Sequence, residues 1–335
     1  MNQSDKTDRK KQESLTSETR SFSKSFLEAL KRVKIFVEEE TSKEIKCKQL
    51  YYHNFAHSRA VAQRAERIFQ EILPFWTSIF ADTLDKDVPD PRRVKYLIEI
   101  CAIAHDMVQD FSPVEVPKTA RKRETGVSER KTVIKLVEYI IRLNAEYPEN
   151  SCPFSEDDIQ LISEAINATI CVYDPLDKSI YQPDLYSKEK SISIAARIIA
   201  LADLGGLGIE GMESFFDEGT LIFLEENIDL IPVLNKYFQK IKKYPHIDLQ
   251  TPEYENLRQR LFARSQFQLN FAIGRKNRLE RELSGLPEPV IDALKSHIFI
   301  YLTNDIIQKI IDKTPKNPET NLKDLVEFFH LDKYI

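Results

Sequence analysis

The chain has 335 residues, of which 48 are basic and 53 acidic, so its formal net charge is −5. This mild acidity argues against dedicated nucleic-acid binding, which normally uses a basic patch or stripe. The four cysteines show no CxxC spacing, so neither a disulfide framework nor a cysteine zinc site is indicated, and a reducing, cytoplasmic location is favoured. No segment reaches the roughly 18 consecutive apolar residues of a membrane helix, so we expect no membrane partner.

The predicted elements begin after a polar N-terminal segment. Residues 1–21 are charged and contain no aromatic side chain, which predicts a disordered tail. Beyond them helical periodicity is widespread, and few alternating runs with hairpin turns occur. The sequence therefore predicts an all-α fold. Helices are expected over residues 57–73, 96–104, 131–144, 157–172, 191–204, 253–283 and 288–312.

The first chemically notable stretch is YYHNFAH, which contains two of the six histidines. Counting back by four from Val61 puts His57 and His53 on the apolar stripe of the first predicted helix, or just before it. Histidine is often partly buried, and two core histidines bonded to backbone carbonyls would explain this pattern. The alternatives are a catalytic pair or a metal site.

Two further helices end in polar residues. His105 and Asp106 follow the apolar run YLIEICAIA, and Asp203 follows IIALA. Such groups are costly at the end of a buried helix unless partners satisfy them. Ordinary helix caps would account for each of them separately. Taken together with His57, however, two imidazoles and two carboxylates form a ligand set suited to a divalent metal, with positions left for water or substrate.

This ordered set resembles the HD-domain superfamily of metal-dependent phosphohydrolases, whose pattern His…His-Asp…Asp maps onto His57, His105, Asp106 and Asp203. The opening YHNFAH is similar to the start shared by cyclic-nucleotide phosphodiesterases and many HD hydrolases. The resemblance implies that His57 binds metal and that His53 donates a proton to the leaving group. It also gives Asp106 a catalytic role, with the option of bridging a second ion.

Looser matches extend the resemblance. The stretch ETGVSE resembles the Asn-Glu-x-x-Ser-Ala segment of some HD hydrolases, which puts Glu124 and Ser128 near the site. Arg123 stands in place of the asparagine and Glu129 in place of the alanine. Asn54 is a further candidate for contact with the substrate or with the metal ligands. The resemblance covers about residues 50–210.

The resemblance implies an HD-domain helical bundle that hydrolyses a phosphomonoester or phosphodiester of a nucleotide or related small molecule. The cofactor would be a divalent metal ion, with Mn, Mg, Fe, Co, Ni and Zn all open. A histidine, whose pKa is ordinarily about 6.5, can supply the proton that the leaving group needs. The domain hypothesis is a tail (1–21), a hydrolase core (22–212) and a C-terminal helical extension (213–335) packed on the core. Whether the chain forms a homo-oligomer is open.

Two alternatives remain. Residues 206–211 read GLGIEG, a literal GxGxxG that would suggest a dinucleotide-binding oxidoreductase. That motif needs a strand before it, whereas the preceding segment is rich in alanine and favours a helix. The other alternative is a non-catalytic HD-fold module that regulates or binds a partner. The basic run KTARKRE (118–124) is either solvated or able to attract a phosphate.

Overall fold

The structure is a computed structural model that describes residues 24–81, 88–113, 121–186, 192–244 and 251–335. The predicted tail at residues 1–21 lies outside them. The described residues are mostly helical and contain two very small sheets, so the predicted all-α class is confirmed. The helices are α1 (Lys24–Lys48), α2 (Phe55–Ile72), α3 (Trp76–Ile79), α4 (Pro91–Ala104), α5 (Val127–Asn144), α6 (Glu156–Asn167), α7 (Ile194–Asp203), α8 (Met212–Glu226), α9 (Ile231–Lys243), α10 (Pro252–Leu283), α11 (Glu288–Ala293), α12 (Asn304–Lys313) and α13 (Leu322–Phe328).

Two predicted helices differ from the observed ones. Helix α6 ends at Asn167 rather than near residue 172, because the following Thr-Ile-Cys-Val run is rich in β-branched residues that favour extended backbone. The expected helix over residues 288–312 is interrupted by a π-helical turn, Leu294–Ile298. A new helix then starts where the Thr303 side chain accepts a hydrogen bond from the Ile306 backbone N–H.

Two short antiparallel hairpins interrupt the helices, although the sequence offered little support for hairpins. Strand β1 (Phe111–Pro113) pairs with β2 (Arg121–Arg123), and β3 (Val172–Asp174) pairs with β4 (Ser179–Tyr181). Each strand has only three residues, too few for an alternating pattern to be recognisable.

The apolar stripe predicted for α2 is buried in the main hydrophobic core. Val61, Ala65, Ile68, Phe69 and Ile72 are all at most 2 % exposed. They face α4 and α7, the two helices whose C-terminal ends carry the other polar residues singled out from the sequence. Burying each large apolar side chain contributes about 1.5–3 kcal/mol, so this packing holds the three helix ends close together.

The C-terminal helices share the main core with the rest of the chain. Helix α10 contributes Ala272, Leu279 and Leu283 to it. Its first turns pack instead in a second cluster, where Leu257 and Leu261 meet residues of α8, α9 and α13. Helix α10 therefore ties the C-terminal cluster to the main core. Within the described residues, no helix combines the length and apolar character needed to span a membrane.

Candidate metal centre and cavity

Three helix ends bring the predicted ligands together. The side chain of Asn54 accepts hydrogen bonds from the backbone N–H groups of Ala56 and His57, which starts α2 and puts His57 in its first turn. His105 is the C-cap of α4, and Asp203 is the last residue of α7. Since α2 packs against both other helices, their polar ends meet at one point.

The four side chains form a compact cluster, with one potential ligand atom from each lying within 4.8 Å of the others. The Nε2 atoms of His57 and His105 are 3.2 Å apart. Asp106 Oδ2 lies 3.2 Å from His57 Nε2 and 2.9 Å from His105 Nε2. Asp203 Oδ1 lies 3.5 Å and 3.4 Å from the same two nitrogens.

Neighbouring groups orient three of the four ligands. His105 Nδ1–H donates to the Ala102 carbonyl at 2.9 Å, which leaves the Nε2 lone pair directed into the cluster. The Gln109 amide donates to Asp106 Oδ1, and the Gln182 amide donates to Asp203 Oδ2, both at 3.0 Å. In each carboxylate the other oxygen therefore remains free to face the histidines.

His57 is held differently from the other three. Its Nδ1 is buried and has no hydrogen-bond partner among the described residues. The ring packs instead against Tyr52, with the ring centroids 4.3 Å apart. Packing and the helix cap, rather than a second hydrogen bond, thus set the direction of His57 Nε2.

The electrostatics of the cluster favour a cation. Burial opposes charge on both histidines, but Asp106 and Asp203 outweigh it and raise the pKa of His57 and, more strongly, of His105. Burial likewise opposes ionisation of the two carboxylates, yet the histidines hold the pKa of Asp106 and of Asp203 well below the usual range. The carboxylates stay ionised and demand positive charge, which either protons or a metal ion can supply.

The residues present fit a divalent ion. Ligand atoms placed at typical distances around one ion are separated by about 3 to 4 Å, and the nitrogen–oxygen separations in the cluster fall in that range. Two imidazole Nε2 lone pairs that face each other at 3.2 Å need a cation or a proton between them. The buried cluster could therefore hold a metal ion, and the donor set does not select one metal.

His53 lies beside the cluster and is held from the C-terminal part of the chain. Its Nδ1–H donates to Glu225 Oε1 on α8. The other oxygen of Glu225 accepts the backbone N–H groups of Tyr52 at 2.9 Å and His53 at 3.1 Å. His53 Nε2 is 3.8 Å from Asp106 Oδ2, so this ring reaches the edge of the cluster.

Arg123, at the end of β2, connects His53 to the cluster. Its Nη1 lies 2.9 Å from His53 Nε2, 3.2 Å from Asp106 Oδ1 and 2.8 Å from Gln109 Oε1. Because Glu225 takes the proton of Nδ1, His53 Nε2 is the acceptor in its contact with Arg123. Burial lowers the pKa of Arg123, but Asp106 and Glu129 raise it above its ordinary value, so the guanidinium is charged.

The cluster opens into a cavity of about 210 Å³. Asp106, Asp203, His53 and Arg123 contribute to one side of its lining, and α8 and α10 contribute further polar groups and most of the aromatic ones. The cavity is large enough for a small molecule and too small for a polymer. The C-terminal helices thus form part of the wall of the candidate site.

The two remaining predicted site residues lie in different surroundings: Asn54 supports the ligand residue His57, whereas Glu124 lies away from the cluster. Asn54 uses its whole side chain locally, since its oxygen caps α2 and its Nδ2 donates to the Tyr51 carbonyl at 2.7 Å. Glu124 is exposed and accepts a hydrogen bond from Ser112, so the structure does not bring it to the cluster. The neighbours Arg123 and Glu129, which depart from the HD pattern, line the cavity instead.

The glycines of GLGIEG serve packing. The segment follows helix α7, not a strand, and forms a π-helical turn, so it lacks the strand that a dinucleotide-binding turn requires. A Cβ on Gly206 would lie 2.3 Å from Glu218 Oε2, and one on Gly208 would lie 2.9 Å from the Phe299 ring. Gly211 has φ +93, a conformation that L side chains rarely adopt. The dinucleotide-binding interpretation of this motif is therefore wrong.

Sequence reasoning missed several residues of the site. Gln109, whose amide binds Asp106, lies three residues after it, and this closeness in sequence was the only signal for it. Glu225 and Arg264 are ordinary charged residues of C-terminal helices, and no local pattern marks them.

No protein-family model, curated protein or solved structure matches the chain.

Proposed function

We propose that this protein is a metal-dependent hydrolase of small phosphoesters with an HD-domain-type site. The main support is a cluster of four side chains able to hold a metal ion, whose two carboxylates line a cavity together with His53 and Arg123. Phosphoryl transfer needs positive charge around the phosphoryl oxygens and a proton source for the leaving group. The cavity wall offers both kinds of group.

His57, His105, Asp106 and Asp203 would hold the ion. A divalent metal bound there polarises a phosphoryl oxygen and lowers the pKa of a water molecule. Gln109 and Gln182 keep the two carboxylates turned towards the histidines, and His105 is held by the Ala102 carbonyl. Such supporting contacts keep ligands in place without a reorganisation cost at the moment of reaction.

Arg123 is the residue that binds the phosphoryl group. Its guanidinium lies next to Asp106 and is turned inward by contacts with Gln109 and His53. A phosphoryl oxygen competes well for these donors, because hydrogen bonds between an arginine and a phosphate are charge-assisted. When Arg123 turns to the substrate, it releases the Nε2 atom of His53.

Once released, the Nε2 atom of His53 takes up a proton from water and supplies it to the leaving group. Glu225 fixes the ring by accepting the proton of Nδ1, so that any further proton must be carried on Nε2, on the side of Asp106. The same carboxylate stabilises the imidazolium while Nε2 carries the proton. A positioned histidine of this kind typically accelerates a proton-transfer step by about 10²–10⁴-fold.

The test is a phosphoester panel run with Mn²⁺, Mg²⁺, Fe²⁺, Co²⁺, Ni²⁺ or Zn²⁺, together with elemental analysis of the purified protein. We expect Asp106→Asn to lose metal and to lower turnover by more than about 100-fold while circular dichroism is unchanged. Asp110→Asn is the matched control, since Asp110 pairs with Lys131 at the surface and should leave both readouts intact. If no metal-loaded sample hydrolyses any phosphoester, a non-catalytic HD-fold module is the better explanation.

A further inference from the structure

Arg264 on α10 lines the same cavity from the C-terminal wall. Its Nε donates to the Gly219 carbonyl at 3.2 Å, and its Cζ lies 5.3 Å from the centre of the Phe267 ring. Among the described residues, its two terminal nitrogens have no hydrogen-bond acceptor, and no carboxylate forms an ion pair with it. The guanidinium is therefore anchored through Nε at the cavity wall, and its terminal nitrogens remain available as donors.

A charged group in this position needs an anionic partner. Burial lowers the pKa of Arg264, which shows that its charge is costly there, but an arginine remains protonated at neutral pH. Glu226 lines the same cavity and partly offsets the charge of Arg264, but the two groups form no contacting ion pair, and burial raises the pKa of the Glu226 carboxyl group. Glu218, another acid of the lining, is committed to Arg64. Among the described residues, Arg264 thus has no carboxylate in contact with its guanidinium.

The local packing supports a built site. A Cβ on Gly219 would be 1.5 Å from the Gln268 amide, so this glycine lets the Gln268 side chain of α10 lie directly against α8. That contact presents the Gly219 carbonyl to Arg264 Nε and leaves the terminal nitrogens free. Much of the remaining lining is apolar and includes Phe215, Phe267 and Phe271. Such a lining suits the apolar part of an organic ligand better than it suits water.

We propose that the substrate carries, besides the phosphoryl group bound at Arg123, a second anionic group, a carboxylate or a phosphate, that pairs with Arg264. This inference rests on the proposed function and names its substrate class: small organic phosphoesters with two anionic groups. A guanidinium with two free terminal nitrogens can bind either anion through two parallel hydrogen bonds. The C-terminal helix α10 is then what selects the substrate.

The experiment measures binding, by calorimetry, of three non-hydrolysable probes to the full chain with and without Mn²⁺. Phenylphosphonate has one anionic group, para-carboxyphenylphosphonate adds a carboxylate and para-phenylenebisphosphonate adds a second phosphonate. One charge-assisted contact corresponds to a roughly 10- to 100-fold tighter Kd, so we expect at least one of the doubly anionic probes to bind more tightly by that factor. Which one does so identifies the second anion.

Variants of α10 test whether Arg264 causes the tighter binding of the doubly anionic probes. We expect Arg264→Gln to abolish the difference between the probes, Arg264→Lys to retain part of it, and Arg281→Gln, at an exposed position of the same helix, to leave it unchanged. Equal binding of all three probes to the unmodified protein overturns the inference even if no variant folds. Because binding needs no turnover, a preference without hydrolysis would count against the proposed function alone. Hydrolysis without a preference would count against the second-anion site alone.

Discussion

Replacing Glu225 with glutamine removes the charge that holds His53, and we expect this change to lower both stability and turnover. The carboxylate is 1 % exposed and accepts three hydrogen bonds, from the His53 ring and from the backbone N–H groups of Tyr52 and His53. Glutamine offers one acceptor oxygen in place of two, so at least one buried donor loses its partner.

The size of the effect follows from the pKa of Glu225. Burial raises this pKa, but the His53 ring and the two backbone N–H groups have the larger, opposite effect. The pKa of Glu225 is therefore lowered to about 2. An unfolded glutamate titrates near ~4.3, and one pKa unit corresponds to about 1.4 kcal/mol, so the ionised carboxylate contributes about 3 kcal/mol to the free energy of unfolding. Because the folded-state pKa is depressed, this contribution is complete above pH ~4.3 and is lost as the pH falls through about 2.

Urea unfolding of the unmodified chain and of Glu225→Gln, measured from neutral to acidic pH, tests this account. At neutral pH we expect the variant to be about 3 kcal/mol less stable, and we expect the difference to narrow as the pH falls below ~4.3. Glu213→Gln, at an 80 % exposed position of the same helix, should change stability by less than about 0.5 kcal/mol. Equal stability at neutral pH, or a loss that does not vary with pH, would refute the reasoning.

Turnover provides a second readout of the same variant. With a phosphoester identified in the panel, we expect Glu225→Gln to lower kcat by more than about 10-fold, since the ring of His53 loses its orientation. Metal content should not change, because Glu225 forms no hydrogen bond or ion pair with any of the four ligands. A matching loss of metal would mean that Glu225 supports the cluster instead of the proton donor.

Three further predictions concern the supports of the site. Gln109→Ala and Gln182→Ala should each weaken Mn²⁺ binding by about 10- to 100-fold in calorimetry with the fold intact, and unchanged affinity would show that the carboxylates orient themselves. Gly219→Ala should destabilise the chain by about 1–3 kcal/mol in thermal unfolding, because its Cβ would displace Gln268; an unchanged midpoint would contradict the close helix contact. Asn54→Ala should cost about 1 kcal/mol and Asn54→Asp much less, and equal losses would argue against the capping role.

Much of the candidate metal centre is predictable from local sequence. The helical stripe that follows His57, and the apolar runs that end at His105-Asp106 and Asp203, are short-range patterns that identify three buried helices with polar ends. Helix ends are where polar side chains can leave a core without breaking backbone hydrogen bonds. That these helices pack with their ends together needed the structure, which brings the ligand atoms within 4.8 Å of one another.

The structure does not bring Glu124 to the cluster, and the reason lies in the local backbone. Glu124 is the first residue of the HD-like stretch ETGVSE, but it lies just beyond β2, is exposed and accepts a hydrogen bond from Ser112, whereas Arg123, the last residue of β2, reaches Asp106. In a strand, successive side chains point to opposite faces, so a shift of one residue exchanges the inner and outer residues. A three-residue strand has no pattern from which this choice can be read.

The sequence by itself determined the helical class, the buried face of α2 and the four residues able to bind a metal ion, because each depends on spacing along a single helix. Only the tertiary structure decided that α8 and α10 close the cavity. Glu225 meets His53 across 172 positions of the chain, and Arg264 meets the same cavity from another helix. Such contacts depend on how helices pack around a shared core. The local sequence around a single glutamate or arginine does not predict that packing.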